Sequence, residues 1–212
     1  MAIVWYFGKP SFFITFTANP YWPEITDYLL NGQQAIDRPD LLCRVFVLKV
    51  RELLADLKNH IFGRYTGHIY TIEYQKRSLP YIHLLLFLRR DAVFLTPDLV
   101  DKVVCTELPD PLWDPAGELT AIVTSQMSYG PCGLNDNPKA PCMVRKTPAA
   151  PLACQKRFPK AFAATTIICE DGYPEYRRRD DGRTFTVRKP GFPDQEVVRD
   201  NRWVVPYNPY LL

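Results

Sequence analysis

Residues 68–88 read HIYTIEYQKRSLPYIHLLLFL, and this stretch decides the fold. His68–Gln75 and Tyr81–Leu88 are rich in aromatic, β-branched and leucine residues, which favour strands. The link between them, Lys76–Pro80, is so short that the two strands should pair antiparallel. The stretch therefore predicts an antiparallel β-hairpin.

Segments on either side extend this hairpin into a larger pattern. Residues 11–17 predict a buried strand, and Asp37 should cap a helix from Asp40 to Phe62, whose apolar residues recur at steps of three and four. A second helix is predicted over residues 97–105. The order strand, helix, strand, strand, helix is typical of the ferredoxin-like or split β-α-β fold. We therefore expect an α+β fold, an antiparallel sheet with helices on one face, with Leu119–Thr124 as the fourth strand.

The second half of the chain has a different character. Residues 126–164 are rich in proline, glycine and cysteine and predict a loop-rich insert without a core pattern of its own. Residues 165–212 are basic and predict β-hairpins, with turns at Asp171-Gly172 and Asp181-Gly182. The sequence thus divides into a core at 1–125, the insert and the hairpin segment.

Bulk composition limits the class of protein. The 212 residues are 47% hydrophobic and 23% charged, which is typical of a folded domain. No apolar run reaches the 18 or more residues that cross a bilayer, and no basic segment precedes the first apolar residues. We therefore expect an intracellular protein with no membrane partner, in which six cysteines do not indicate a disulfide framework.

The hairpin carries half of a divalent-metal site. Side chains alternate along a strand, so Tyr81 and His83 should share a face, with Glu73 and Gln75 beside them on the neighbouring strand. A carboxylate, an amide and an imidazole suit a divalent ion such as Mg²⁺ or Mn²⁺, although such sites need several ligands. A lone histidine in an apolar strand is more often a satisfied core residue.

Several motifs resemble one family. The segment FFITFTANP at 12–20, followed by WPEI at 22–25, resembles the opening motif of the Helitron helicase-like N-terminal domain. The segment Glu73–Leu88 resembles that family's HUH strand pair, in which two histidines flank one hydrophobic residue. Later segments resemble further blocks of the family in the same order: Gly130–Gly133, Pro141–Met143, Cys154–Phe162, Asp171–Arg179 and Asp200–Pro209.

The resemblance implies a replication-initiator-like endonuclease domain of a transposase. Such a domain acts on single-stranded DNA in rolling-circle fashion, is followed by a helicase, and would work in the nucleus. Residues 1–125 would be its nuclease core, and His83 would be the second histidine that holds the metal ion. Tyr81 stands where the first histidine belongs, and a phenol with a pKa of about 10 is a poor ligand for Mg²⁺ at neutral pH. We therefore expect weak or absent metal binding.

The nucleophile is a second departure. The resemblance implies catalytic tyrosines on a helix beyond Leu212, so no catalytic residue is assigned within these residues. Tyr207 and Tyr210 lie in a proline-broken context that does not suit a helix. We expect impaired catalysis, and the alternative is a domesticated, non-catalytic module that binds nucleic acid, RNA included, or protein.

The cysteines of the insert have the spacing Cys132-x9-Cys142-x11-Cys154. The resemblance implies a histidine at the position of Tyr129, which would give one histidine and three cysteines for structural zinc. Without that histidine, Cys169 is the candidate for the fourth ligand, because structural zinc takes four. The alternative is a set of free thiols.

Basic and aromatic residues are candidates for DNA contacts. Tyr74, with Tyr81 as a second candidate, could stack on bases, although most aromatic residues of a sheet belong to the core. Local basic clusters suit phosphate contacts, or equally a surface of ion pairs. The candidate residues for phosphate contacts are Lys76, Arg77, Arg89, Arg90, Arg177, Arg178 and Arg179.

Overall fold

The computed structural model describes residues 2–75, 79–89, 96–169, 173–189 and 192–212. Contacts between Cα atoms divide the chain into two compact units, Met1–Phe94 and Leu95–Leu212. Both units combine helices with antiparallel strands. Within the described ranges, no helix has the length and apolar character needed to cross a bilayer.

The first unit contains three α-helices and three strands among its described residues. Chain order is α1 (Ala2–Phe7), β1 (Phe12–Thr17), α2 (Pro23–Thr26), a 3₁₀ turn (Ala35–Asp37), α3 (Pro39–Lys58), β2 (Tyr65–Tyr74) and β3 (Pro80–Leu88).

Helix α3 begins with proline, whose fixed backbone angle suits the first turn. Asp37 does not cap it as expected, because its carboxylate accepts the backbone N–H of Gln34 and closes the preceding 3₁₀ turn.

The sheet of this unit has the strand order β1-β3-β2. Strand β3 is antiparallel to both neighbours, so β1 and β2 run in the same direction with β3 between them. Helix α3 connects β1 to β2 in the chain. The mixed α and β character and the antiparallel sheet that the sequence predicted are confirmed.

The two faces of this sheet carry different residues. Ile82, Leu84 and Leu86 of β3 are fully buried. Phe16 of β1 is the cross-strand partner of Ile82, and its ring stacks on Phe46 of α3 with centroids 5.8 Å apart. This face, with the core against α3, we call the helix face. Tyr81, His83 and Leu85 alternate with these residues and therefore point to the opposite face, which we call the histidine face.

Helices are not confined to one face, contrary to the expectation from the sequence. Phe7, at the end of α1, packs on Phe87 with ring centroids 5.2 Å apart, and Phe87 alternates onto the histidine face. Gly67 lies opposite Phe87, and a Cβ atom there would lie 3.2 Å from the Phe7 ring. A glycine is needed here because the aromatic ring approaches the backbone so closely.

The second unit is built from short elements. It contains α4 (Pro97–Val103), α5 (Glu118–Gln126) and a 3₁₀ turn (Asn201–Trp203). Its strands pair as three antiparallel hairpins: β4 (Met143–Val144) with β5 (Ala153–Cys154), β6 (Ile167–Ile168) with β7 (Pro174–Glu175), and β8 (Thr184–Lys189) with β9 (Phe192–Asp200).

The predicted fourth strand at Leu119–Thr124 is wrong, because these residues form most of α5. Asp114 decides the difference: its carboxylate accepts the backbone N–H groups of Leu119 and Thr120 and the hydroxyl of Thr120. A carboxylate that satisfies the free amides of a first turn stabilises a helix start. Helix α5 lies in the second unit, whereas the sequence grouped it with residues 1–125.

The hairpin prediction is partly right. Three hairpins form among the described residues, but Asp181-Gly182 lies before β8 instead of between two paired strands. Gly182 does take a left-handed backbone, with φ +75°. The other predicted turn, Asp171-Gly172, lies outside the described residues, in the link between β6 and β7.

Candidate functional site

His83 lies in the middle of β3, between a threonine on each neighbouring strand. Thr15 of β1 and Thr71 of β2 are its cross-strand partners. The Thr15 hydroxyl lies 3.0 Å from Nδ1 of the imidazole, and the Phe13 ring packs beside it at 5.0 Å between centroids. The imidazole is therefore held on both sides on the histidine face.

Tyr81 and Glu73 are direct cross-strand partners on that face. The Tyr81 hydroxyl donates a hydrogen bond of 2.5 Å to Oε2 of Glu73, and this bond raises the pKa of the phenol. Thr71 donates a 3.4 Å bond to the other carboxylate oxygen. The Tyr81 ring also meets His83 edge to face, with centroids 5.0 Å apart. The carboxylate is thus bonded to its neighbours on both oxygens.

The other two hairpin candidates lie elsewhere. Gln75 follows the last residue of β2, and its backbone N–H donates to the carbonyl of Leu79. Tyr74 alternates with Glu73 and points to the helix face, where its hydroxyl lies 3.7 Å from Sγ of Cys43. Tyr74 and Tyr81 therefore stand on opposite faces of the sheet and cannot form one stacking platform.

A divalent ion fits this face poorly. Three ligands of the histidine, cysteine or carboxylate type do not converge around His83 among the residues that the structure describes. The face offers one imidazole and one carboxylate, and a neutral phenol stands beside them. Mg²⁺ and Mn²⁺ need more oxygen or nitrogen ligands than this set supplies.

Some of the predicted DNA-contacting cations lie outside the described residues, and the others lie within them. Lys76, Arg77 and Arg90 lie outside the described residues. Arg89 follows β3 with an exposed side chain, and its backbone N–H donates to the carbonyl of Arg64. The three arginines at 177–179 are described, and each has partners within its own unit.

Arg178 is only 4% exposed and serves the fold. Its guanidinium donates to the carbonyl oxygens of Thr106, Asn201 and Val204, and burial lowers its pKa to about 10. One buried side chain thus binds three backbone carbonyl groups, which helps to satisfy polar groups that folding removes from water. Arg178 has no donor surface to offer a phosphate.

The flanking arginines pair with carboxylates. Arg179 binds Glu107 through two guanidinium nitrogens, Nε and Nη2, and through its backbone N–H, and Arg177 lies 3.0 Å from Asp101. Burial opposes ionisation of Glu107, yet these bonds hold its pKa below the usual value. The segment that looked like a basic patch in sequence is therefore largely an internal ion network.

Three predicted zinc ligands converge in the second unit. The sulfur atoms of Cys132, Cys142 and Cys154 all lie within 4.8 Å of one another. We call these three residues the cysteine cluster. Hairpin β4–β5 positions two of them, since Cys154 pairs with Met143 next to Cys142. Cys132 is fully buried beside Trp203.

The surroundings of the cluster favour metal ligation. Burial alone would raise the pKa of Cys154, but backbone N–H groups of Phe158 and Lys156 and the neighbouring thiols lower it below its ordinary value. Amide donors to sulfur stabilise a thiolate, the form that binds metal. Burial raises the pKa of Cys132 to about 12 in the absence of an ion. A bound cation would reverse that effect.

Tyr129 occupies the fourth side of the cysteine cluster. Its pKa is raised by burial and by hydrogen bonds between its hydroxyl and the side chains of Cys142 and Cys154. Phe158 stacks on its ring at 4.2 Å between centroids. Cys169, the candidate fourth ligand, lies outside the cluster beside hairpin β6–β7. The residue at the expected histidine position thus meets the cysteines, although it is a tyrosine.

Sequence reasoning missed the threonines that hold the histidine face. Thr15 and Thr71 stand opposite His83, and the alternation of FFITFT at 12–17 does carry a signal for Thr15. Only the pairing register of β1 with β3 shows that Thr15 lies opposite His83. Tyr207, which had been set aside as a nucleophile, is buried and donates its hydroxyl to the carbonyl of Glu107.

Comparison with known proteins gives one finding. Residues 1–86 match the family model for the Helitron helicase-like domain at the N-terminus. The match includes β1, α3, β2 and most of β3 with His83. No curated protein matches the chain. This match supports the resemblance inferred from the sequence motifs, and residues 1–86 are similar to the Helitron helicase-like N-terminal domain.

Proposed function

We propose that this chain binds single-stranded DNA as the replication-initiator-like, HUH-type domain of a Helitron transposase, with its cleavage activity impaired. The domain would act in the nucleus, next to a helicase domain of the parent protein. The family match over residues 1–86 supports the transposase context.

The bond between Tyr81 and Glu73 carries the impairment. A tyrosine at the first histidine position donates a hydrogen bond to the carboxylate that could otherwise assist a metal ion. One imidazole then remains, and its Nδ1 is engaged by Thr15. An ion that polarises the scissile phosphate requires several ligands on this face. Because this set of metal ligands is incomplete, the protein would bind DNA without cleaving it.

Binding itself needs no metal ion. Single strands are held by cations that contact phosphates and by exposed rings that stack on bases. The first unit has exposed aromatic side chains on both faces of its sheet, among them Phe13 and Tyr74. Such contacts support binding that weakens as salt rises.

We also propose that the cysteine cluster holds a structural zinc ion in the second unit. Three sulfur atoms within 4.8 Å of one another, with amide donors to Cys154, support this proposal. Tyr129 is the side chain placed to complete or shield the fourth position. The ion would tie together loops that contain little regular structure.

A labelled single-stranded oligonucleotide tests the proposed function. The protein should bind it in a gel-shift assay at low salt, and with Mn²⁺ present a denaturing gel should show neither a nicked product nor a covalent protein–DNA band. Failure to bind at any salt concentration would overturn the proposal. A covalent band would show that a tyrosine within these residues is an active nucleophile and that the site is not impaired.

A non-catalytic, domesticated module is the second candidate. Tyrosine at both positions 81 and 129, where the family resemblance implies histidine, favours it, because two ligand sites are altered in the same way. The two candidate functions differ in whether nicking activity can be restored. A recently inactivated nuclease regains nicking when Tyr81 is changed to histidine and the downstream tyrosine helix is supplied. A domesticated module binds its partner but does not regain nicking.

A further inference from the structure

An exposed groove lies on the helix face of the first unit, between α3 and β2. One close contact and one charge interaction define its ends. At one end the Tyr74 hydroxyl lies 3.7 Å from Sγ of Cys43. At the other end Lys58 lowers the pKa of His68 through its charge, in addition to the larger effect of burial. Helix α3 therefore runs alongside β2 in the opposite direction, and we call the space between them the α3–β2 groove.

The helix side of the groove has a regular pattern. Residues separated by three or four positions form one stripe of a helix. Such a stripe of α3 contains Cys43, Val47, Arg51, Leu54 and Lys58. Fifteen residues at about 1.5 Å each make the stripe about 22 Å long. That length accommodates several nucleotides of an extended single strand.

Apolar side chains of the groove are left open to solvent. Val47 and Leu48 on α3 are 39% and 55% exposed, and Ile72 and Tyr74 on β2 are 49% and 61% exposed. A surface cavity next to them is lined by Cys43, Arg44, Val47, Leu48 and Arg51. Contiguous exposed apolar surface of this kind marks an interaction site.

The strand side contributes a row of rings. His68, Tyr70 and Tyr74 alternate onto the helix face of β2. His68 and Tyr70 stack with centroids 6.1 Å apart, and Tyr65 stacks on His68 at 5.9 Å. Rings presented side by side along a strand suit the stacking of successive bases, whatever the base sequence.

The helix side contributes positive charge. Arg44, Arg51 and Lys58 are spaced by seven residues, so about 10 Å separates neighbouring cations. Among the residues that the structure describes, no carboxylate lies within salt-bridge distance of Arg44, Arg51 or Lys58. Two of the acidic groups on α3 are engaged by other cations, Asp40 by Arg38 and Glu52 by Lys49. Glu73 points to the opposite face of the sheet.

We propose that the α3–β2 groove binds single-stranded nucleic acid, with bases stacked on the rings of β2 and phosphates paired with Arg44, Arg51 and Lys58. The site lies on the face of the sheet opposite to His83. It rests on the single-strand binding proposed above and gives that binding a specific surface. Exposed rings next to unpaired cations favour nucleic acid over an acidic peptide, because a peptide would gain the charges but not the base stacking.

Fluorescence anisotropy of a labelled single-stranded 20-mer, titrated with the full chain at several salt concentrations, tests the groove. The variant Arg44→Gln/Arg51→Gln should lower the slope of log K against log salt by about 1.4, at 0.7 for each lost phosphate contact. Tyr74→Leu should weaken binding by about 5- to 150-fold, and Tyr74→Phe, which keeps the ring, should bind like the unaltered protein. Circular dichroism confirms the fold of each variant.

A charge control is Lys9→Gln, which removes an exposed positive charge just before β1, the strand at the opposite edge of the sheet from β2. It should leave the salt slope unchanged. If binding survives the groove variants but is lost in His83→Ala, the α3–β2 groove is not the binding site, whereas the proposed single-strand binding function still holds. Absence of binding by the unaltered protein would overturn both. If a labelled polyglutamate peptide binds and depends on Arg44 and Arg51 while DNA does not bind, the groove belongs to an acidic protein partner instead.

Discussion

Tyr81 shows how one side chain changes the chemistry of a sheet face. At this position a histidine would offer a neutral nitrogen to a metal ion, whereas the phenol keeps its proton and donates a hydrogen bond to Glu73. The same bond makes Tyr81 harder to ionise, since its pKa rises. With tyrosine at position 81, the face therefore lacks one nitrogen ligand, and the Glu73 carboxylate is engaged by the phenol.

Changing Tyr81 to histidine should restore affinity for Mn²⁺. The substitution supplies a nitrogen ligand and frees the Glu73 carboxylate, so we expect a dissociation constant lower by about tenfold or more, which corresponds to about 1.4 kcal/mol. Tyr81→Phe is the control, because it frees Glu73 without adding a ligand. Isothermal titration calorimetry measures both. Equal, tight Mn²⁺ binding by the unaltered protein and both variants would contradict the incomplete site.

At the scale of the elements, the fold of the second unit depends on a polar network more than on a large apolar core. Thr106 and Glu107 meet the arginines at 177–179 and Asn201, and these residues come from three separate parts of the chain. Glu107 is only 3% exposed. A buried carboxylate is tolerated because arginine side chains and a backbone N–H bind it.

Stability should fall with acid through Glu107. Its folded pKa lies below the ordinary value of 4.5, so its contribution is complete above pH 4.5 and is lost as the pH falls through the folded pKa. Glu107→Gln should lower the free energy of unfolding by about 1–2 kcal/mol at pH 7 and weaken the pH dependence below 4.5. Urea unfolding at several pH values measures this. Glu175→Gln, an exposed carboxylate in β7, should change neither, and equal effects of both variants would contradict the role of Glu107.

At the scale of the whole molecule, the chain comprises two units with different sources of stability. Met1–Phe94 has a sheet covered by α3 and a continuous apolar core. The described residues of Leu95–Leu212 form three hairpins of modest length and two small apolar clusters, one of which includes Cys132. Small units with little regular structure commonly depend on a metal ion.

Metal removal should therefore affect the second unit selectively. A strong chelator should lower the melting temperature of one calorimetric transition by about 5 °C or more and leave the other unchanged. Cys132→Ser should have the same effect without chelator, because it removes a ligand. Cys169→Ser is the matched control, since Cys169 lies outside the cysteine cluster. Purified protein that contains no zinc and shows no response to chelator would contradict the zinc proposal.

Local patterns in the sequence determined the central part of the first unit. Residue alternation, a short link and a helical period are properties of neighbouring residues, so β2, β3, α3 and their order were predicted correctly. The opening family motif at 12–25 was also recognisable and lies within the matched residues 1–86. The short link predicted that Glu73 would lie beside Tyr81 and His83, and the structure gives the direct partner of Glu73 as Tyr81.

Tertiary structure decided what depends on residues distant in the chain. Residues 119–124 were the best candidate for a fourth strand in the sequence, but they form most of α5, whose Val123 is fully buried in a cluster with Leu108, Val204 and Tyr207. The arginines at 177–179 look alike in sequence, yet Glu107 and the carbonyls of Asn201 and Val204 bury one and pair the others. Three cysteines spread over 23 residues meet only because the hairpin β4–β5 folds them together, with Tyr129 and not Cys169 beside them. Composition and spacing fix which contacts are available, and burial selects among them because each buried charge or amide must find a partner.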